Sequence, residues 1–393
     1  MSRLFRFLAP AALILMIPLS AWGQQSFPES PVQGDRLFSE KGCSRCHSIL
    51  GQGGRVGHDL GRINLKGSKL DVVSNLLNNA QTMGAKMQEL KILWPHLTGP
   101  EIEGLIAFLY YVNYFDEPGK ASKGRQLFEG RQCVRCHSPS PQGAGVAPPS
   151  AFPVSAFPRN ITPIYLAKSL WNHGPRMRAE MTRLGIPWPN FEGTEMMDLV
   201  AYLKEVGRGE VTSGYGAPGN PNEGTKVFQA KGCPQCHVGV GGMAPNLADP
   251  TLGLQESMTQ TVSRLWNHAP KMFARVGESN MTIPEFTERE MADLVAYIYF
   301  LNYFDPPPDL VAGRRLFADK QCASCHALGG GTQGTGPDLS ASQKTASAVE
   351  MVSAMWNHTP LMQSVMRERQ ITWPRFDKGE LNNLLGYIQS QRK

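Results

Sequence analysis

The apolar residues of this chain recur at helical spacing in four similar segments. In each segment they follow one another three and four positions apart, the pattern of a helix with one buried face. The segments are 101–109, 195–203, 290–298 and 380–388, and their aromatic residues are Phe108, Tyr202, Tyr297 and Tyr387. We predict that each segment is the closing helix of a repeated unit.

A shorter helix is predicted at the start of each unit, where a Gly stands four residues before a Phe. The pairs are Gly34 and Phe38, Gly124 and Phe128, Gly224 and Phe228, and Gly313 and Phe317. We expect the first helix to pack on the closing helix, with the aromatic residues of both in the core. This interpretation is favoured over an aromatic electron path.

The repeats predict an all-α fold made of four tandem domains of about 90 residues. A chain of 393 residues is also too long for one compact core. The predicted domains, called here the first to fourth units, are 24–118, 119–216, 217–308 and 309–393.

The first 23 residues resemble a secretory signal peptide. Arg3 and Arg6 precede an apolar run over 8–19, and Ala21 and Gly23 are small residues at the positions that a signal peptidase reads. The run is shorter than the roughly 20 apolar residues that a membrane anchor, the alternative, would need. We predict cleavage after Gly23, export to the periplasm, and no integral membrane span.

The charge of the chain makes nucleic-acid binding a poor explanation. Its formal net charge is +6, and loss of Arg3 and Arg6 leaves 37 basic against 33 acidic side chains, or +4. No block of Lys and Arg concentrates this small excess.

All eight cysteines fall into four Cys-x-x-Cys-His motifs spaced 90, 100 and 89 residues apart. Two thiols one turn apart can each form a thioether with a heme vinyl group, while the adjacent imidazole lies under the iron. The motifs predict four covalently attached c-type hemes. The attachment residues are Cys43, Cys46, Cys133, Cys136, Cys233, Cys236, Cys322 and Cys325, and the iron ligands are His47, His137, His237 and His326.

Two other uses of the cysteines explain the motifs less well. Disulfides in an exported protein need neither a His after each pair nor a spacing of two residues. A zinc site needs four ligands, and each motif offers two thiols and a His too close in sequence to complete a tetrahedron comfortably.

The middle of three units carries the signature Trp-Asn-His-x-Pro-x-Met, at 171–177, 266–272 and 356–362. The first unit keeps Asn78 and Met83 but has Asn79 in place of the His. With the Cys-x-x-Cys-His motifs and the flanking helices, this order resembles the class I cytochrome c family over all four units. The resemblance implies electron transfer between redox proteins of an exported or respiratory chain, without catalysis of bond chemistry.

The chain departs from that family at the sixth iron ligand. The family usually has a Met-Pro-x-Phe stretch before the closing helix, whereas this chain has Trp or Ile before the Pro, at 94–97, 188–191, 283–286 and 373–376. We therefore predict one Met register as the ligands: Met83, Met177, Met272 and Met362. The alternatives are a second register (Met87, Met181 and Met366, with Val276 in the third unit) and the imidazoles of His173, His268 and His358. A His four residues before a Met shares its helix face, so spacing does not separate them.

The first unit is the predicted outlier. In the family a Pro carbonyl orients the proximal imidazole; Pro148, Pro245 and Pro337 fit that place, and His58 replaces Pro in the first unit. This unit also owns His96, a further candidate ligand. Heme 1 would then differ in potential or ligation, or would be an open catalytic site, which is the rival class of function. Divergence of an end repeat is the simplest alternative.

Two connectors share the sequence Asn-Tyr-Phe-Asp before a Pro, at 113–116 and 302–305, whereas the junction at 207–220 is long and Gly-rich. We predict from this two rigid pairs, one-two and three-four, joined by a looser hinge.

Overall fold

The computed structural model describes residues 32–63, 67–139, 153–211, 219–237, 243–254, 256–330 and 334–392. The predicted signal peptide lies outside these residues. The described part contains twelve α-helices and one hairpin of two-residue strands, β1 (Ser48–Ile49) and β2 (Gln52–Gly53). The helices are α1 (Val32–Glu40), α2 (Lys69–Glu89), α3 (Gly99–Tyr114), α4 (Ala121–Gly130), α5 (Pro163–Arg183), α6 (Glu195–Val206), α7 (Pro221–Ala230), α8 (Met258–Glu278), α9 (Glu288–Phe300), α10 (Leu310–Asp319), α11 (Ala348–Glu368) and α12 (Glu380–Ser390). No helix among the described residues is long and apolar enough to cross a membrane.

Each unit packs its first helix against its closing helix, as predicted. The crossing is so close that a Cβ at Gly124 would lie 1.9 Å from the Asp198 carbonyl oxygen, and one at Gly224 would lie 2.0 Å from that of Asp293. Only glycine fits there. The predicted core pairs are confirmed, with ring centroids 5.7 Å apart for Phe38–Phe108, 5.4 Å for Phe128–Tyr202, 5.2 Å for Phe228–Tyr297 and 6.2 Å for Phe317–Tyr387.

The middle helices pair the second unit with the third. Trp171 donates its indole N–H to the Pro284 carbonyl at 2.8 Å, and Trp266 donates to the Pro189 carbonyl at 2.7 Å. Each neighbouring Asn side chain bonds both the N–H and the C=O of one Phe in the other unit. These two-way contacts join Asn172 with Phe286 and Asn267 with Phe191. The Trp-Asn signature and the stretch before the closing helix are therefore two halves of one interface.

The same contacts pair the first unit with the fourth. Asn78 bonds the backbone of Phe376 in both directions, at 2.9 and 2.8 Å, and Asn357 does the same with Leu97, at 2.7 and 2.9 Å. The predicted rigid pairs one-two and three-four are thus wrong about which units pack together. The cause is that α2 packs on α11, and α5 packs on α8, through residues that lie far apart in the chain.

Prolines inside the middle helices explain a further contact across these interfaces. Pro270 and Pro360 lack an N–H, so the carbonyls four residues earlier, on Trp266 and Trp356, lose their helical donor. The Trp188 and Trp94 indoles from the paired units donate to these carbonyls at 3.2 and 3.0 Å. Each ring also lies against the ring of the Trp that it bonds, with centroids 4.0 and 4.3 Å apart. In α8 and α11 the carbonyl freed by the helix break is therefore satisfied by a side chain of another unit.

The two Asn-Tyr-Phe-Asp connectors cap helices in the other half of the chain. Asp116 accepts from the Thr259 N–H at the start of α8, at 3.0 Å, and Asp305 accepts from the Leu70 N–H at the start of α2, at 3.2 Å. Helices α3 and α9 meet in a buried aromatic cluster in which the Tyr299 hydroxyl donates to the Tyr110 carbonyl. The connectors hence lock the two pairs of units together. Residues 212–218 of the predicted hinge lie outside the described part.

Candidate heme-binding sites

Each Cys-x-x-Cys-His motif forms a short 3₁₀ turn followed by the His. The residue before the first Cys has a left-handed backbone in all four motifs: Gly42, Gln132, Gly232 and Gln321. The His N–H then bonds the carbonyl of the first Cys, as for His137 and Cys133 at 2.8 Å. This turn places both thiols and the imidazole on one side of the chain.

The cysteines are thiols that the fold largely covers. All eight are free and partly buried, so the disulfide alternative is not formed. Burial raises the pKa of Cys133, Cys233 and Cys322 to about 11 and also raises that of Cys43. The first thiol of each motif therefore lies at the wall of its unit's interior, where a thioether to a bound heme would sit.

Backbone carbonyls orient the proximal imidazoles. The Nδ1 of His237 lies 2.9 Å from the Pro245 oxygen, and that of His326 lies 3.1 Å from the Pro337 oxygen. The predicted role of these two prolines is confirmed, while Pro148 lies outside the described residues. With Nδ1 bonded to a carbonyl, Nε2 is the ring nitrogen that would be available to a heme iron.

The first unit also orients its proximal imidazole with a backbone carbonyl. Its His47 Nδ1 lies 2.9 Å from the His58 carbonyl oxygen, so the backbone supplies what a Pro supplies elsewhere. The expectation that His58 alters the proximal side of heme 1 is therefore wrong. The reason is that the contact needs a carbonyl, which any residue offers.

A Cβ at Gly57 would lie 2.3 Å from the His47 ring and one at Gly336 would lie 2.6 Å from the His326 ring, so glycine is needed beside both.

The structure describes a cavity beside the Cys-x-x-Cys-His motif of the second unit. A cavity of about 400 Å³ lies between the Cys-x-x-Cys-His turn and α5, within the range of cofactor sites. Cys133 and His137 line one wall, and His173 and Met177 line the other. The remaining lining is largely apolar and includes Trp266, which the third unit contributes. A Cys pair, the adjacent imidazole and a His or Met from α5 around a largely apolar cavity are the donor set and surroundings that fit a heme c.

Both kinds of candidate sixth ligand lie on the same helix face. The ring centroids of His137 and His173 are 6.2 Å apart, and those of His237 and His268 are 6.5 Å apart. In the fourth unit burial and the nearby His326 lower the pKa of His358. The four Met side chains of the predicted register are partly buried against the core of their units: Met83, Met177, Met272 and Met362.

The first unit places its unusual polar residues on the surface. Asn79 is exposed and bonds the Asn75 carbonyl one turn back in its own helix. The His96 side chain is also exposed, and its backbone carbonyl accepts from Lys41. Among the described contacts none brings His96 to His47, so Met83 and the second-register Met87 are the candidate distal ligands that this unit retains.

Sequence reasoning missed the part that the Trp and Asn of the signature play between units. One signal for it was available. The first unit loses the signature His but keeps Asn78, which indicates that the Asn serves a purpose separate from the His beside it.

Comparison with known proteins agrees with this geometry. The family model described as cytochrome c matches three tandem segments, residues 121–207, 221–301 and 310–392, which cover more than half of the chain. Comparisons with curated proteins and with solved structures gave no match. The chain belongs to the cytochrome c family, as a heme-containing electron-transfer cytochrome of tandem domains.

Proposed function

We propose that this chain is an exported tetraheme c-type cytochrome that passes electrons between redox partners. The observation that supports this most strongly is the repetition of one site. All four motifs fold into the same turn. In the first, third and fourth units the imidazole Nδ1 lies within hydrogen-bond distance of a backbone carbonyl, and the corresponding residue of the second unit, Pro148, is outside the described residues. The first unit, which lies outside the family match, is included for this reason.

The chain's own residues would hold and shield the cofactors. Bound heme c supplies reversible one-electron chemistry at its iron. Each Cys pair would fix one heme covalently, and His47, His137, His237 and His326 would be the proximal ligands. The largely apolar lining of the cavity in the second unit would limit the access of water to its heme, and burial is one means by which a protein sets the potential.

Three ligand sets compete for the sixth position in units two to four. The first is the Met register of the sequence prediction, which makes all four hemes His/Met ligated. The second is the imidazole one turn earlier, at His173, His268 and His358. The third is the second Met register, Met181 and Met366, which has Val276 in the third unit. In the first unit α2 offers Met83 and the second-register Met87 but no imidazole, because the His position is the exposed Asn79.

The proposed partners are redox proteins of an exported or respiratory chain, and the proposed location is the periplasm. The signal-like residues 1–23 support export. Within the chain, Trp266 of the third unit lines the cavity of the second, which favours close coupling of hemes 2 and 3. The matching interface favours coupling of hemes 1 and 4.

A heme enzyme with an open iron at heme 1 is the second candidate, since that unit lacks the signature His. Carbon monoxide tests this, because it binds ferrous heme only at a vacant or displaceable position. We expect the visible spectrum of the reduced holoprotein to stay unchanged under carbon monoxide, and the same sample in denaturant to serve as the positive control. A shift of one quarter of the heme absorbance would contradict electron transfer as the sole function and support the enzyme.

A further inference from the structure

The imidazoles of units two and three face each other at the separation that two ligands of one iron require. With metal–nitrogen bonds of about 2 Å and about 1.1 Å from that nitrogen to the ring centre, two imidazoles on opposite sides of one metal have centroids about 6.3 Å apart. The observed separations are 6.2 Å for His137–His173 and 6.5 Å for His237–His268. Edge-to-face packing of aromatic rings spans about 4.5–7 Å, so the separation by itself does not select ligation. Ligation is favoured because, in both units, the ring that meets the second imidazole belongs to a Cys-x-x-Cys-His motif.

The proximal rings are already oriented for this geometry. In the third unit the Nδ1 of His237 is held by the Pro245 carbonyl, so its Nε2 is the nitrogen left for the metal. The distal His268 lies on α8 beside Trp266 and Asn267, both of which are held by backbone groups of the second unit. The inter-unit contacts therefore fix the helix segment that presents the distal imidazole.

We propose that hemes 2, 3 and 4 are ligated by two histidines, with His173, His268 and His358 as sixth ligands, and that heme 1 alone has a methionine, Met83. The fourth unit is included because His358 occupies the same place in the signature, beside Trp356 and Asn357, which bond backbone carbonyls of the first unit. The first unit differs because Asn79 replaces the His and points to solvent. The inference rests on the proposed tetraheme function and replaces the all-methionine ligation predicted from the sequence.

The proposed ligand sets divide the four hemes by potential. Methionine ligation raises the potential of a c-type heme relative to two imidazoles. Heme 1 is therefore the highest-potential site in the chain, and the first unit packs on the fourth. Electrons that enter through hemes 2 to 4 would be transferred to heme 1. The first unit would then be the site from which electrons leave the protein, and not merely a diverged end repeat.

Ligand counting on the ferric holoprotein tests the proposal. Low-temperature electron paramagnetic resonance with near-infrared magnetic circular dichroism separates His/His from His/Met hemes. We expect three His/His hemes and one His/Met heme per chain. Four His/Met hemes would overturn the inference but leave the tetraheme function intact, whereas fewer than four hemes by mass would defeat the function itself.

Paired variants in one unit sharpen the test. His268→Ala is expected to remove one of the three His/His signals, and Met272→Leu is expected to keep all three. Met83→Leu is expected to remove the only methionine-to-iron charge-transfer band, while the exposed His96→Ala serves as the control and keeps it. If Met272→Leu removes a methionine band and His268→Ala changes nothing, the proposal fails. Should a variant not mature, the wild-type count of three to one still decides.

Discussion

Replacing Asn78 by Ala is expected to weaken the packing of the first unit on the fourth by about 2–4 kcal/mol. The Asn78 side chain bonds the Phe376 carbonyl at 2.9 Å and its N–H at 2.8 Å. Truncation leaves both backbone groups without their partner inside a partly buried interface, and each such loss costs about 1–3 kcal/mol. Native-state hydrogen exchange of the amides in α2 and α11 measures the change as a loss of protection.

The next residue provides a matched control. Asn79→Ala changes the same residue type in the same helix, but Asn79 is exposed and bonds only its own helix. Its effect on the interface is expected to stay within about 0.5 kcal/mol. Equal loss of protection in the two variants would show that the Asn-to-backbone contacts do not hold the units together.

Removing the third heme is expected to destabilise the second unit more than the fourth. In a variant with Cys233→Ala and Cys236→Ala the third unit loses the group that fills its interior. Helix α8 then no longer holds Trp266 and Asn267 against the second unit, where they bond Pro189 and Phe191. We expect exchange protection in α5 to fall at least about 100-fold, equivalent to about 2.7 kcal/mol, and that in α11 to fall far less.

The same substitutions in the fourth unit supply the matched comparison. Cys322→Ala with Cys325→Ala is expected to lower protection in α2 of the first unit and to spare α8 of the third. If damage instead follows chain order, so that losing heme 3 exposes units two and four equally, then the pairing of units two with three and one with four is wrong.

Local features of this fold could be predicted from the sequence because short stretches determine them. The closing helices follow from apolar periodicity, and the Gly-to-Phe spacing follows from one helix crossing. The roles of Pro245 and Pro337 follow from the resemblance to the cytochrome c family, in which a Pro after the heme motif orients the proximal imidazole. None of these depends on a distant part of the chain.

The pairing of the units could not be predicted in this way, because it depends on residues far apart in sequence. Trp171 bonds Pro284, which lies 113 positions away, and nothing near either residue identifies the other. The similarity of the two connectors was interpreted as stiffness, whereas Asp116 and Asp305 act as helix caps in the opposite half. A repeated motif indicates a repeated contact but not which copy it contacts.

The sixth ligand shows the same limit at shorter range. His173 and Met177 are one helical turn apart on one face, so periodicity places both on the heme side. The choice depends on how far the helix stands from the proximal imidazole, which is set by packing between units. The sequence does not give that distance. The structure does, with the ring centroids of His137 and His173 6.2 Å apart.

The intact mass of the mature protein, measured after acid-acetone extraction, tests the central claim most directly. Extraction removes any heme that is not covalently attached, so the remaining excess over the apoprotein mass counts attached hemes. The account predicts an excess of four heme masses, one for each Cys-x-x-Cys-His turn. An excess of three or fewer, with an unmodified Cys pair located by peptide mapping, would contradict it.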